Sequence, residues 1–141
     1  MGSIKFKKKD LELNEGEAVQ VVIVNKDGLV CLVSRKEDHS DFGLPGGKVD
    51  GKETPSAAAI RECKEETGIK ITNLRLVFAM HRKGRMGYTY IADYSGEINY
   101  DKDKEPHVVK WAKMEEATKG SFAYWNKMVD ESLRSMGVNL K

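Results

Sequence analysis

The sequence predicts a layered α+β or α/β fold, with helices packed on a mixed β-sheet, and three observations predict it. Short apolar and β-branched runs recur along the chain, at Glu17 to Val24, Leu29 to Ser34, Leu74 to Met80, Met86 to Tyr94 and Val108 to Ala112. One helix with clear start and stop signals lies in their midst, from Thr54-Pro55 to Gly68. A second, amphipathic helix follows the last run.

Taken in order, Glu17 to Val24 reads as a largely buried strand. Asp27-Gly28 is a turn signal, and Leu29 to Ser34 reads as the hairpin partner of the first strand. From Lys36 to Val49, polar residues surround Leu44-Pro45-Gly46-Gly47, a stretch that cannot be helix and is poor strand. Thr54 suits an N-cap, Pro55 the first helical position and Gly68 the C-terminal stop. Leu74 to Met80 and Met86 to Tyr94 read as two strands around a loop holding Gly84, and Val108 to Ala112 as a further short strand. In Ser121 to Met136, Phe122, Trp125, Met128, Val129, Leu133 and Met136 recur at helical spacing, and Gly137 ends the helix. There is no internal repeat, low-complexity stretch or linker, so residues 1–141 read as one domain; Met1-Gly2-Ser3 reads as a cloning remnant.

Composition narrows the functional classes. The chain has 141 residues, 40% hydrophobic and 33% charged, an ordinary globular balance. With 24 basic against 22 acidic residues, the net charge of +2 is too balanced to argue for nucleic-acid or membrane binding. The longest apolar stretches, such as Val21 to Val24, are far too short to span a bilayer, and no signal-peptide core is present, so the expected compartment is cytoplasmic. Cys31 and Cys63 fall among apolar positions and read as buried free thiols. Charge is nonetheless clustered: basic at Lys5 to Lys9 and at His81 to Arg85, acidic at Glu62, Glu65 and Glu66.

The acidic cluster carries the chemistry. On a helix, Glu62, Glu65 and Glu66 stand at i, i+3 and i+4, so their carboxylates project from one face and repel one another. Ala59, Ile60 and Cys63 mark the buried face about a quarter turn away, which puts the acids at the edge of the core. Three carboxylates there call for a hard divalent cation, Mg²⁺ or Mn²⁺, of the kind shared between carboxylates and substrate phosphates. The glycine-rich loop ahead of the helix allows a close backbone approach, and Arg61 can pair with Glu53 to tie loop to helix. A plain solvated acidic face would have to account for Gly47, Glu53, Arg61 and Gly68 by accident. Seven specified residues coincide in roughly one start position in 10⁸ to 10⁹.

From Gly47, five residues lead to Glu53, seven more to Arg61-Glu62, and then come Cys63, Lys64, Glu65-Glu66, Thr67, Gly68 and Ile69. This segment resembles the signature of the Nudix hydrolases, G-x5-E-x7-R-E-U-x-E-E-x-G-U, where U is bulky and apolar. Every position matches, with Cys63 a small residue at the first U position, and Leu44-Pro45-Gly46-Gly47 is similar to the family's lead-in. The resemblance implies an α/β/α sandwich with a mixed sheet between helices. It implies Glu62, Glu65 and Glu66 as metal ligands together with the Gly46 carbonyl, and a distal acid, for which Glu105 is the candidate and Glu97 the second. It also implies supporting roles for Glu53 and Arg61, with Glu53 acidic enough in context to assist catalysis. Glu62 is the first choice of general base and Glu65 the second.

Outside the signature, Arg35 and Lys36 at the end of the predicted hairpin, and His81, Arg82 and Arg85, are candidates to contact phosphates, against the blander reading of surface charge. Tyr88, Tyr90 and Tyr94 share a strand face, where packing is the plainer role and base stacking by one of them, Tyr88 first, the sharper. Phe122, Trp125, Met128 and Trp111 read as core, and His39 as a surface histidine. The expected substrate is a small nucleotide, foremost a nucleoside triphosphate, plain or modified, cleaved to monophosphate and pyrophosphate. Dinucleoside polyphosphates and RNA 5′ ends are alternatives, the latter using Lys5 to Lys9, and a non-catalytic nucleotide sensor is the alternative of another class. The chain is expected to work as a monomer or homodimer, with no membrane partner.

Overall fold

A computed structural model describes residues 16–82 and 84–141, with Arg82 described in its backbone only; the Lys5 to Lys9 run and Lys83 lie outside the described residues. The strands are β1 (Ala18–Val22), β2 (Val30–Ser34), β3 (Phe42–Gly43), β4 (Gly46–Lys48), β5 (Lys70–Arg82), β6 (Arg85–Ser95) and β7 (Val109–Ala112). The helices are α1 (Pro55–Thr67) and α2 (Ala123–Ser135), with a 3₁₀ turn at Met114–Thr118 before α2. The strands form two sheets, one of four strands in the order β4-β1-β6-β5 and one of three in the order β3-β2-β7. The larger sheet is mixed: β1 runs parallel to β6 and antiparallel to β4.

β1 sits at the centre because it is apolar on both sides. Val19, Val21 and Ile23 pack with Ala58, Ala59 and Cys63 of α1, while Val22 packs with Val129 and Leu133 of α2. The two helices therefore cover opposite faces of the strand layer, the α/β/α arrangement that the sequence resemblance implies.

Local signals act as read. Thr54 Oγ1 accepts from Ala57 N at 3.2 Å, Pro55 occupies the first turn, and Gly68 adopts φ +79 with its N–H donating to Lys64 O at 2.9 Å. Gly68 is required twice over, since a Cβ there would lie 1.8 Å from Asn99 O.

Three expectations are corrected. β2 is not the hairpin partner of β1: after the Asn25–Leu29 turn a single bridge joins Val24 to Val30, and β2 then pairs with β3 and β7. Both edges of β1 are already taken by β4 and β6. The loop before the helix contains β3 and β4, two- and three-residue strands that exist because they extend available edges. Ile60 is 42% exposed, because the buried stripe of α1 is narrow and runs through Ala58, Ala59, Cys63 and Thr67.

Among the described residues no helix is long and apolar enough to cross a membrane. Cys31 and Cys63 are buried free thiols, and burial pushes Cys63 up to about 11.

Candidate active site

α1 presents its acids toward the glycine strand β4. The Glu62 carboxylate packs on Gly47, where a Cβ would come within 2.4 Å of it, so a larger residue there would push the acid out of this position. The Gly46 amide donates to Glu66 Oε1 at 2.7 Å. Gly46 itself is pressed against β1, a Cβ there falling 2.0 Å from Val19 O. The two glycines thus bring β4 close enough for its backbone to touch the helix carboxylates.

Arg61 organises the loop. Its Nη2 lies 2.6 Å from Glu53 Oε1 and also donates to Lys48 O at 3.1 Å, while Nη1 reaches Glu62 Oε1 at 3.0 Å and Glu65 Oε2 at 3.4 Å. Glu53 in turn accepts from Asp50 N at 2.9 Å. The Arg61 guanidinium and that amide hold the Glu53 carboxyl below its usual range. Glu53 is therefore an anion that fixes Arg61 across the loop, as the spacing of the two residues foretold.

Glu62 and Glu66 are shifted the other way. Burial raises the Glu62 carboxyl against the pull of Arg61. Burial pushes Glu66 up to about 8, with Glu62, Glu105 and Glu65 adding repulsion and the Gly46 amide opposing it. Glu105 thus belongs electrostatically to the cluster; its carboxylate also lies 3.9 Å from Lys36 Nζ and 3.6 Å from His107 Nδ1. Glu97 is exposed in the loop after β6. With Arg61 bonded to two of the acids, no three acidic, histidine or cysteine side chains among the described residues form a ready-made cage for a cation.

Glu66 also borders a cavity of about 800 Å³, whose lining includes Gln20, Arg35, Arg85, Tyr88 and Trp125. Arg35 is held there by Ser121 Oγ at 3.2 Å and by Asp41 at 3.8 Å. The Arg85 guanidinium lies over Gly16. His81 is exposed, near the end of β5, and is not part of the lining. His39 is a surface residue facing Pro106 O at 3.2 Å. Tyr90, Tyr94 and Trp111 pack on the α1-side core, as read, and Tyr88 joins that packing while also lining the cavity.

Phe122 and Trp125 are placed differently from the sequence reading. Phe122 is 46% exposed and both rings line the cavity, although Trp125 keeps one side on the core. His107 was not singled out by sequence: it is 5% exposed, lines the cavity, and its Nε2 lies 2.9 Å from Glu66 O. A lone histidine before a short strand carries no local signal of such a position. Gln20, a polar residue within an apolar strand run, carried a weak one.

Comparison with known proteins gives a consistent result. A family model described as the NUDIX domain matches residues 15–132. The ADP-ribose pyrophosphatase of Methanocaldococcus jannaschii is 37% identical over 87 residues, 59% of this chain and 51% of that protein. The RNA pyrophosphohydrolase of Zymomonas mobilis is 33% identical over 85 residues, 60% of this chain and 52% of that protein. The chain spans about half the length of these two relatives. A MutT structure from work on the Aliivibrio salmonicida and Vibrio cholerae proteins superposes with a TM-score of 0.69 at 20% identity, over 85% of this chain and 98% of that one, and supports the fold.

Proposed function

The chain belongs to the Nudix family, and from that premise we propose that it hydrolyses a phosphoanhydride bond in a nucleoside diphosphate derivative, foremost a nucleoside triphosphate, plain or modified, cleaved to monophosphate and pyrophosphate. One observation carries this reading: Glu66, on the acidic face of α1, borders a cavity that also contains two arginines and aromatic walls. A nucleotide needs all three, an acid cluster at the anhydride, cations for the remaining phosphate charge and rings for the base.

The donor set fits Mg²⁺ or Mn²⁺. Its oxygens are hard ligands, and the burial and mutual repulsion that together raise Glu66 are what a divalent cation would offset. Glu62, Glu65 and Glu66 would hold it, with the Gly46 carbonyl and Glu105 as further ligands. Once bound, it supplies charge neutralisation at the phosphates and a more acidic water. The protein's own groups do the rest. Glu62 takes the proton from the attacking water, its burial keeping the carboxylate more basic than an exposed one; Glu65 is the second choice for this step. Glu53 keeps Arg61 in place, and Arg61 keeps Glu62 and Glu65 from swinging into solvent. Arg35 and Arg85 would reach the phosphate tail from the cavity wall, and Tyr88, also in the lining, would meet the nucleoside. His81, exposed near the end of β5, remains a candidate for the outer part of a longer tail.

The test is a chromatographic product screen over nucleoside triphosphates, dinucleoside polyphosphates, ADP-ribose and triphosphorylated RNA, each with Mg²⁺ and with excess chelator. Chelator-sensitive turnover of at least one nucleotide is expected. Failure to cleave any of them, with nucleotides still bound, would instead favour a nucleotide sensor.

A further inference from the structure

The cavity wall built from β1, β6 and α2 contains a polar relay that the hydrolytic machinery does not use. Gln20 on β1 and Thr89 on β6 are register partners in the parallel pairing, so their side chains stand together on the α2 side of the sheet. Gln20 Nε2 donates to Thr89 Oγ1 at 2.9 Å, and Trp125 Nε1 donates to the same oxygen at 3.0 Å. Thr89 is fully buried, whereas Gln20 and Trp125 both line the cavity. An indole N–H can only donate, so Trp125 commits one lone pair of the hydroxyl and Gln20 the other.

The aromatic neighbours are seated on glycines. Trp125 lies on Gly87, where a Cβ would approach its ring to 2.6 Å, and its centroid is 5.5 Å from that of Phe78. Phe122 lies on Gly43 in the same way, with a Cβ clash at 2.8 Å. Two glycines on two different sheets thus accommodate the two rings that wall the cavity. Aromatic walls seated on glycines suit a flat ring inserted between them or against them.

With one N–H tied to Thr89, the Gln20 amide has one N–H and its carbonyl oxygen left, and makes no other hydrogen bond among the described residues. Those two groups lie side by side on a planar amide. They complement the edge of a heteroaromatic base, where a donor adjoins an acceptor; glutamine pairs with bases in this way in other settings. Turned over, the amide would instead accept from the Thr89 hydroxyl through its Oε1, so in either orientation the bond to Thr89 holds the plane of the amide at the cavity wall and leaves its remaining polar edge for a ligand.

We propose that Gln20 is the residue that reads the base of the substrate, that Thr89 is its positioning residue, and that the cavity therefore selects nucleobase-bearing phosphates over phosphates lacking a base. This rests on the reading that the site takes a phosphoanhydride substrate, and the experiment separates the two. Calorimetric titration in excess chelator measures binding of the four nucleoside monophosphates, ribose 5-phosphate and inorganic pyrophosphate, none of which offers a nucleoside anhydride to cleave. Nucleoside monophosphates bind more tightly than ribose 5-phosphate in the unaltered protein. Gln20→Leu lowers affinity for at least one of them by about 10-fold and leaves pyrophosphate binding where it was. Thr89→Val, or Trp125→Phe should the buried valine perturb folding, weakens the same nucleotides in the same order while the melting temperature holds. In turnover, Gln20→Leu raises KM far more than it lowers kcat. Equal binding of ribose 5-phosphate and nucleotides, or unchanged nucleotide affinity in Gln20→Leu, overturns the proposal even if hydrolysis is found. Absence of hydrolysis with intact base-dependent binding would sink the catalytic reading and leave this one standing.

Discussion

Glu66 gathers three pressures on one carboxyl: partial burial, the charge of three neighbouring glutamates, and one compensating amide from Gly46. Its raised value, about 8 against an ordinary 4.5, sets a pH dependence whose sign is fixed. In the metal-free protein the folded state holds this proton where the unfolded chain has released it. The stability this contributes is fully present below pH 4.5 and is lost as pH rises to about 8. Thermal melts in chelator should therefore fall by a few degrees across that window, and Glu66→Gln should flatten the slope. Glu53 acts in the opposite direction, its depressed carboxyl contributing at neutral pH and failing only in acid. Activity follows the charge: Glu66→Gln keeps the shape, so the fold survives while turnover drops by about 10² or more. Near-normal activity in that variant would remove Glu66 from the chemistry. Glu105, which shares the field of the cluster, is the proposed distal ligand. Metal titration of Glu105→Gln should shift to higher Mg²⁺ while Glu97→Gln titrates normally, and identical curves for both would discard the assignment.

At the scale of elements, Gly68 joins two functions, ending α1 and admitting the Asn99 carbonyl. Gly68→Ala should cost about 1–2 kcal/mol from the left-handed backbone alone, and more from displacing the loop, read as a lower urea midpoint with an unchanged slope. This helix was legible in the sequence because its signals are local: a capping hydroxyl, a proline and a glycine, each acting within a few residues. The acids and Arg61 were legible for the same reason. The allegiance of β2 was not, since it depends on β4 and β6 having taken both edges of β1, facts written elsewhere in the chain. The helical spacing of Phe122 and Trp125 marks a face, but periodicity cannot say whether that face meets core or cavity. Both rings do some of each. His107 and the Gln20–Thr89 pair are assembled across 41 and 69 residues of separation respectively, beyond the reach of any window.

For the whole molecule, the substrate is decided by how the cavity and the acid face are joined. The cavity, about 800 Å³ and lined by two arginines, has room for the single nucleoside with a polyphosphate tail proposed as substrate. Across a substrate panel, kcat/KM for the best triphosphate should exceed that for ADP-ribose and for dinucleoside polyphosphates by about 10-fold. The reverse order would move the chain to another substrate class within the same family.

The central placement of β1 has a further consequence for biosynthesis. Gln20 meets its partner Thr89 only after another 69 residues have been added. At about 5–20 residues per second, the innermost strand emerges roughly 3 to 14 s before its parallel neighbour exists. During that interval Val19, Val21, Val22 and Ile23, all of them core in the finished protein, have no permanent shelter. The nascent chain is thus most exposed to chaperones and to self-association before β6 is made, and arrest of synthesis between β4 and β6 should yield chains that are cut rapidly by protease, while arrest well past β6 should not.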